Sequence, residues 1–149
     1  MTEEICRRLR FGNDEAEQIV ALVENHMRFG QVQRMSQSTL KKFLRMPDFA
    51  EHLELHRLDA MAGNRILTSY EFAREKAASI PPEAMRPTPL VTGDDLIAAG
   101  YEPGPRFREI LSAVEDAQLE GRINSRESAM ELVQREFPVA PAPQLRTDN

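Results

Sequence analysis

Four prolines fall within the ten residues 80–89, at Pro81, Pro82, Pro87 and Pro89. Proline fixes φ, lacks a backbone N–H and clashes with the preceding turn, so no continuous helix or central strand runs through such a stretch. The chain must fold as one part before this run and another after it, with a stiff connector between them. Both parts carry apolar residues at the i, i+3, i+4 spacing of amphipathic helices, and no stretch shows the period-2 alternation with turn chemistry that strands need. The expectation is an all-α fold of two helical clusters joined by a Pro-rich linker. It places a helical body at residues 1–63, a helix and linker at 64–89, a helical tail at 90–137 and a disordered end at 138–149. With 149 residues, 41% of them hydrophobic, two small cores can be filled.

In the body, a short helix over residues 2–10 carries Ile5, Cys6 and Leu9. Asn13 then caps a longer helix whose first turn holds Asp14, Glu15 and Glu17, where negative charge suits the helix dipole. Gly30 is read as its end. Ala16, Ile19, Val20, Leu22, Val23, Met27 and Phe29 form its apolar arc, with His26 in the middle as a neutral core histidine or a functional one. The next helix, 37–46, starts at Ser36 or Ser38, buries Leu40, Phe43 and Leu44, and stops at Pro47. Asp48 caps a further helix that Gly63-Asn64 closes, and Thr68 or Ser69 starts one that runs to about Ser79. In the tail, Thr92 with Asp95 forms a capping box and Gly100 a stop. Pro105 opens a long helix ended by Gly121, and Asn124 with Glu127 boxes the start of a last helix that buries Ala129, Leu132, Val133 and Phe137.

One stretch stands out electrostatically. Between Glu24 and Asp48 every charged residue is basic: Arg28, Arg34, Lys41, Lys42 and Arg45, in a chain of formal charge −5. On a helix, Lys41, Lys42 and Arg45 share an arc away from the apolar stripe. Basic charge focused against an acidic background is what a local phosphate-contacting patch requires, and a solvated helix face is the other reading. The start of the long tail helix, with Arg106 and Arg108, is a second candidate anion contact or an ordinary turn. The acidic balance excludes non-specific coating of DNA or a membrane. No apolar run reaches eighteen residues and no leader is evident, so the expected location is the cytoplasm, which the single cysteine, Cys6, fits.

His52, His56 and Asp59 cluster on the core-facing arc of their helix. The spacing offers two imidazoles one turn apart with a carboxylate nearby, to which His26 could add a fourth ligand. The alternative is a hydrogen-bonded arrangement that only fixes packing, and on the residues alone no bound metal is expected.

Several blocks together resemble a known family. Leu9-Arg-Phe-Gly-Asn-Asp, Val23-Glu-Asn-His-Met-Arg-Phe, Ser38-Thr-Leu-Lys-Lys-Phe-Leu-Arg and Leu55-His-Arg-Leu-Asp-Ala resemble the later body of bacterial tRNA nucleotidyltransferases. These are the CCA-adding enzymes and their poly(A) polymerase relatives, often with an HD-type domain. Leu90-Val-Thr-Gly-Asp-Asp-Leu, Pro103-Gly-Pro-Arg-Phe and Leu119-Glu-Gly resemble the helical tail that follows. The resemblance implies a module that holds the acceptor and T arms of tRNA through Arg28, Arg34, Lys41, Lys42, Arg45, Arg106 and Arg108. It also implies a separate catalytic head using Mg2+ with CTP or ATP. The head's Gly-Ser or Gly-Gly motif with its paired metal-binding aspartates, and its nucleotide-selecting motif, are not found in this sequence, so no catalytic residue and no cofactor of its own are expected. His26 and Asp59 resemble the later ligand positions of an HD-type site, which keeps a metal-dependent phosphohydrolase remnant as an alternative, beside a helical protein–protein adapter.

Overall fold

In a computed structural model describing residues 1–139, the chain is all-α, and the described residues contain no strand. The order is α1 (Thr2–Arg8), α2 (Asn13–His26), a 3-10 segment (Met27–Arg34), α3 (Gln37–Leu44), α4 (Phe49–Ala62), α5 (Thr68–Ser79), α6 (Pro82–Met85), α7 (Gly93–Ala98), α8 (Pro105–Leu119) and α9 (Arg126–Glu136). Two compact units divide the chain, the first spanning Met1–Arg86 and the second beginning at Pro87. The expected disordered end lies, from residue 140 on, outside the described residues.

The first unit is built around Phe29, Val32, Leu40, Phe43, Leu44 and Ala73. Phe29 meets Phe43 edge-on at 4.8 Å, and Phe49 stacks beyond it at 6.1 Å. Here the sequence expectation needs correcting. The helix does not run to Gly30; α2 ends at His26 and the chain tightens into 3-10 geometry that passes through Gly30. Three residues per turn put positions i and i+3 on one face. Phe29 and Val32 are therefore fully buried and Met35 packs beside them, while Met27 turns outward to 72% exposure. On α2 itself no residue is fully buried, and Val23 is exposed.

The proline run also behaves differently from a plain connector. Its first half forms the helical turn α6, with Ile80 and Met85 packed against the first core, so residues 80–86 belong to the first unit. Proline is welcome at the first helical position, where its missing N–H has no intrahelical partner to lose. Likewise α5, expected in the linker region, contributes the fully buried Ala73 to this core.

The second unit closes over Val91, Leu96, Tyr101, Ile110, Val114, Ala117, Ile123, Ala129, Leu132 and Val133. Its helix starts follow local chemistry. Thr92 Oγ1 accepts from the Asp95 N–H at 3.4 Å, while the Asp95 carboxylate accepts from the Thr92 N–H at 2.8 Å. At α9 the reciprocal box is one residue later than expected, between Ser125 and Ser128 at 3.2 Å each way, in place of Asn124 and Glu127. Gly100 and Gly121 take φ of +88° and +72°, the left-handed conformation that ends α7 and α8. The Tyr101 hydroxyl donates to the Phe137 carbonyl at 2.8 Å, tying the end of α9 to the core.

Candidate nucleic-acid interface

The basic segment is carried by the 3-10 segment and α3. Ser36 caps α3, its Oγ accepting from the Thr39 N–H at 3.3 Å, and Leu40, Phe43 and Leu44 anchor the opposite face in the core. Lys41, Lys42 and Arg45 share the arc away from the fully buried stripe but are half-buried, not projecting freely. Arg45 has a defined partner: its Nη1 donates to the Met85 carbonyl at 2.9 Å. In turn Arg86 Nη2 donates to the Arg45 carbonyl at 2.6 Å. Sequence reading missed Arg86, which lies outside the acid-free stretch; only the fold of α6 brings it to the end of α3.

Arg28 is exposed, donates from Nη1 to Asn25 Oδ1 at 2.8 Å, and holds its guanidinium 5.0 Å from the centre of the Phe43 ring. Such a contact keeps a cation oriented at the surface without neutralising it. Arg34 is exposed at the end of the 3-10 segment. The fold thus gathers Arg28, Arg34, Lys41, Lys42 and Arg45 on two consecutive elements of the first unit, neither of which carries an acid.

Arg106 and Arg108 belong to the second unit. Both are exposed in the first turn of α8, and Arg106 Nη2 donates to the Pro138 carbonyl at 3.4 Å. Arg108 edges a groove of about 660 Å³ that Leu90, Val91 and Leu111 also line.

The histidine constellation does not assemble as a metal site. Among the described residues no group of three or more His, Cys, Asp or Glu is placed to hold a metal ion. His52 is buried, whereas Asp59, expected on the core-facing arc, is exposed and needs no buried partner. Asp48 opens α4 by position, but at φ +52° its side chain makes no cap bond, contrary to expectation. His56 stacks on Phe29, ring centres 4.8 Å apart and planes at 11°. His26 is half-buried and its Nδ1 bonds the Val23 carbonyl one turn back. Burial pushes His52 below the usual imidazole range, against the opposing pull of Asp48 and Glu51. His56 is lowered by burial too, with Asp59 opposing and His26 reinforcing. Burial therefore favours the neutral form of both rings, but among the described residues the buried Nδ1 of His52 and Nε2 of His56 lack the hydrogen bonds that the packing alternative supposed.

Residues 1–133 match the family model for tRNA nucleotidyltransferase domain 2. The chain belongs to this family. Comparison with curated proteins and with solved structures gives no match. Membership fits a region related to tRNA nucleotidyl transfer, and no described helix is long and apolar enough to cross a membrane.

Proposed function

We propose that this tRNA nucleotidyltransferase domain is a tRNA-binding module, gripping the acceptor and T arms while nucleotidyl transfer resides in a catalytic head outside this sequence. The observation that carries the reading is the acid-free run Arg28, Arg34, Lys41, Lys42 and Arg45, set along two consecutive elements that pack into the Phe29–Phe43 core. Cations placed in this way contact phosphates. They recognise an A-form helix by its shape, because its deep major groove does not admit side chains to the base edges.

The chemistry of the donor set does not fit the Mg2+ that the family's catalysis implies. Asp94 and Asp95 are adjacent, but Asp95 is tied to Thr92 and Arg126, and no third ligand joins them among the described residues. An HD-type hydrolase has no support either, given an exposed Asp59 and two neutral, packed histidines.

The test is a titration with tRNA against duplex DNA of equal length, at low and moderate salt. The reading expects preference for tRNA with a steep salt slope. The combined variant Arg34→Gln, Lys41→Gln, Lys42→Gln should weaken binding and flatten the slope by two to three, at about 0.9 per lost phosphate contact. Arg45 is left in place because its bond to Met85 supports α6. Unchanged binding in that variant would sink the assignment of this face.

A further inference from the structure

Beside the basic segment lies a cleft of about 490 Å³ between the end of α5, the turn α6 and the end of α3, all within the first unit. Arg45 and Arg86 line it, and Ile80, Pro81, Pro82 and Met85 form its apolar part. The two arginines are linked through the backbone: Arg45 donates to the Met85 carbonyl and Arg86 donates to the Arg45 carbonyl. A guanidinium has five N–H donors in a rigid fork, and Arg86's bond to α3 engages one nitrogen of that fork. That bond sets the side chain's direction, so an incoming oxyanion meets a charge whose ordering cost is already met. Arg86 is itself exposed.

We infer that this cleft is a phosphodiester subsite for the RNA backbone, with Arg86 as the contacting cation and the Pro81–Pro82 lip packing against the adjoining ribose. The inference rests on the tRNA-binding reading and adds to it a residue and a place. A bare anion would need only the guanidinium. The apolar wall beside the charge suits a phosphate that carries sugar on either side, and proline offers that wall without a competing backbone N–H.

Arg86→Gln tests the subsite, because it removes the charge and keeps a polar amide at an exposed position on the rim of the cleft. It should weaken tRNA affinity about tenfold, as loss of a charge-assisted hydrogen bond does, and lower the salt slope by about one. Its melting temperature should stay near that of the parent chain. A folded Arg86→Gln chain with the parent's affinity and slope overturns the subsite while leaving the basic segment intact. Absence of tRNA binding by the parent chain at low salt overturns both. A second measurement needs no variant: phenylglyoxal modification of Arg86, read by peptide mass spectrometry. Protection by tRNA supports the subsite, and full labelling under saturating tRNA overturns it. Protection by millimolar ATP but not by tRNA also overturns it, since the site would then take free nucleotide phosphate.

Discussion

His52 and His56 stand one turn apart on α4, and each has a buried ring nitrogen, Nδ1 of His52 and Nε2 of His56, with no hydrogen-bond partner among the described residues. Both are held below the ordinary imidazole value of 6.5 chiefly by burial. In the unfolded chain they regain that value, so as pH falls below about 6.5 the unfolded state binds more protons than the folded one. Stability is then full above this pH and declines as pH drops from 6.5 toward the lowered folded values. Asp48, Glu51 and Asp59 soften the decline and His26 steepens it at His56. Urea midpoints measured between pH 7.5 and 5.5 should fall with pH, and His52→Met, which cannot take up the proton, should flatten the curve. A midpoint independent of pH over that range would contradict the neutral, buried assignment. The same core sets a cost for truncation: Phe29→Ala removes a fully buried ring touching Phe43 and His56, and should destabilise by about 3–5 kcal/mol in denaturant unfolding.

At the scale of elements, Gly30 and Gly121 separate two uses of glycine. From sequence Gly30 reads as a stop, yet its backbone is not left-handed and a methyl group there would meet nothing within 4 Å. Gly30→Ala should leave the 3-10 segment intact and stabilise by about 0.4–1 kcal/mol, by narrowing the unfolded ensemble. Gly121, at φ +72°, should lose about 1–2 kcal/mol as alanine, although space is open there as well. Thermal unfolding of the two variants in opposite directions checks the pair. The contrast also shows what was legible beforehand. Starts and stops written in side-chain chemistry, such as Thr92 with Asp95, Ser36, Pro105 and Gly121, could be read because each depends on residues a few positions apart. The switch to 3-10 winding at Met27 could not, since packing of Phe29 and Val32 on α3 and α5 decides it; its one trace is the spacing of three in Phe29, Val32 and Met35. For the candidate site, the acid-free run was visible in the sequence. The partners of Arg45 and the arrival of Arg86 were not, because they depend on a turn forty residues away.

Across the whole molecule, charge is divided unevenly. Residues 1–86 hold thirteen Lys or Arg and thirteen Asp or Glu, whereas residues 87–149 hold six and eleven, so the entire acidic excess falls on the later part. A polyanion is therefore repelled by the sum of the charges but attracted by one stretch of the first unit, and the two effects can be separated. The Arg34→Gln, Lys41→Gln, Lys42→Gln variant makes the chain three charges more negative. So does Arg122→Gln, Arg126→Gln, Arg135→Gln, which removes three exposed arginines that pair with Glu120, Asp95 and Glu136. If net charge governed association, both variants would weaken tRNA binding alike, at distances that salt screens beyond about 10 Å at 0.1 M. A local interface predicts otherwise. The first variant should lose affinity at every salt concentration and bind with a shallower slope, whereas the second should keep an affinity near the parent chain's and the parent's slope. Equal losses in the two variants would mean that the acid-free run is a solvated helix face, and the tRNA-binding reading would lose the observation that carries it.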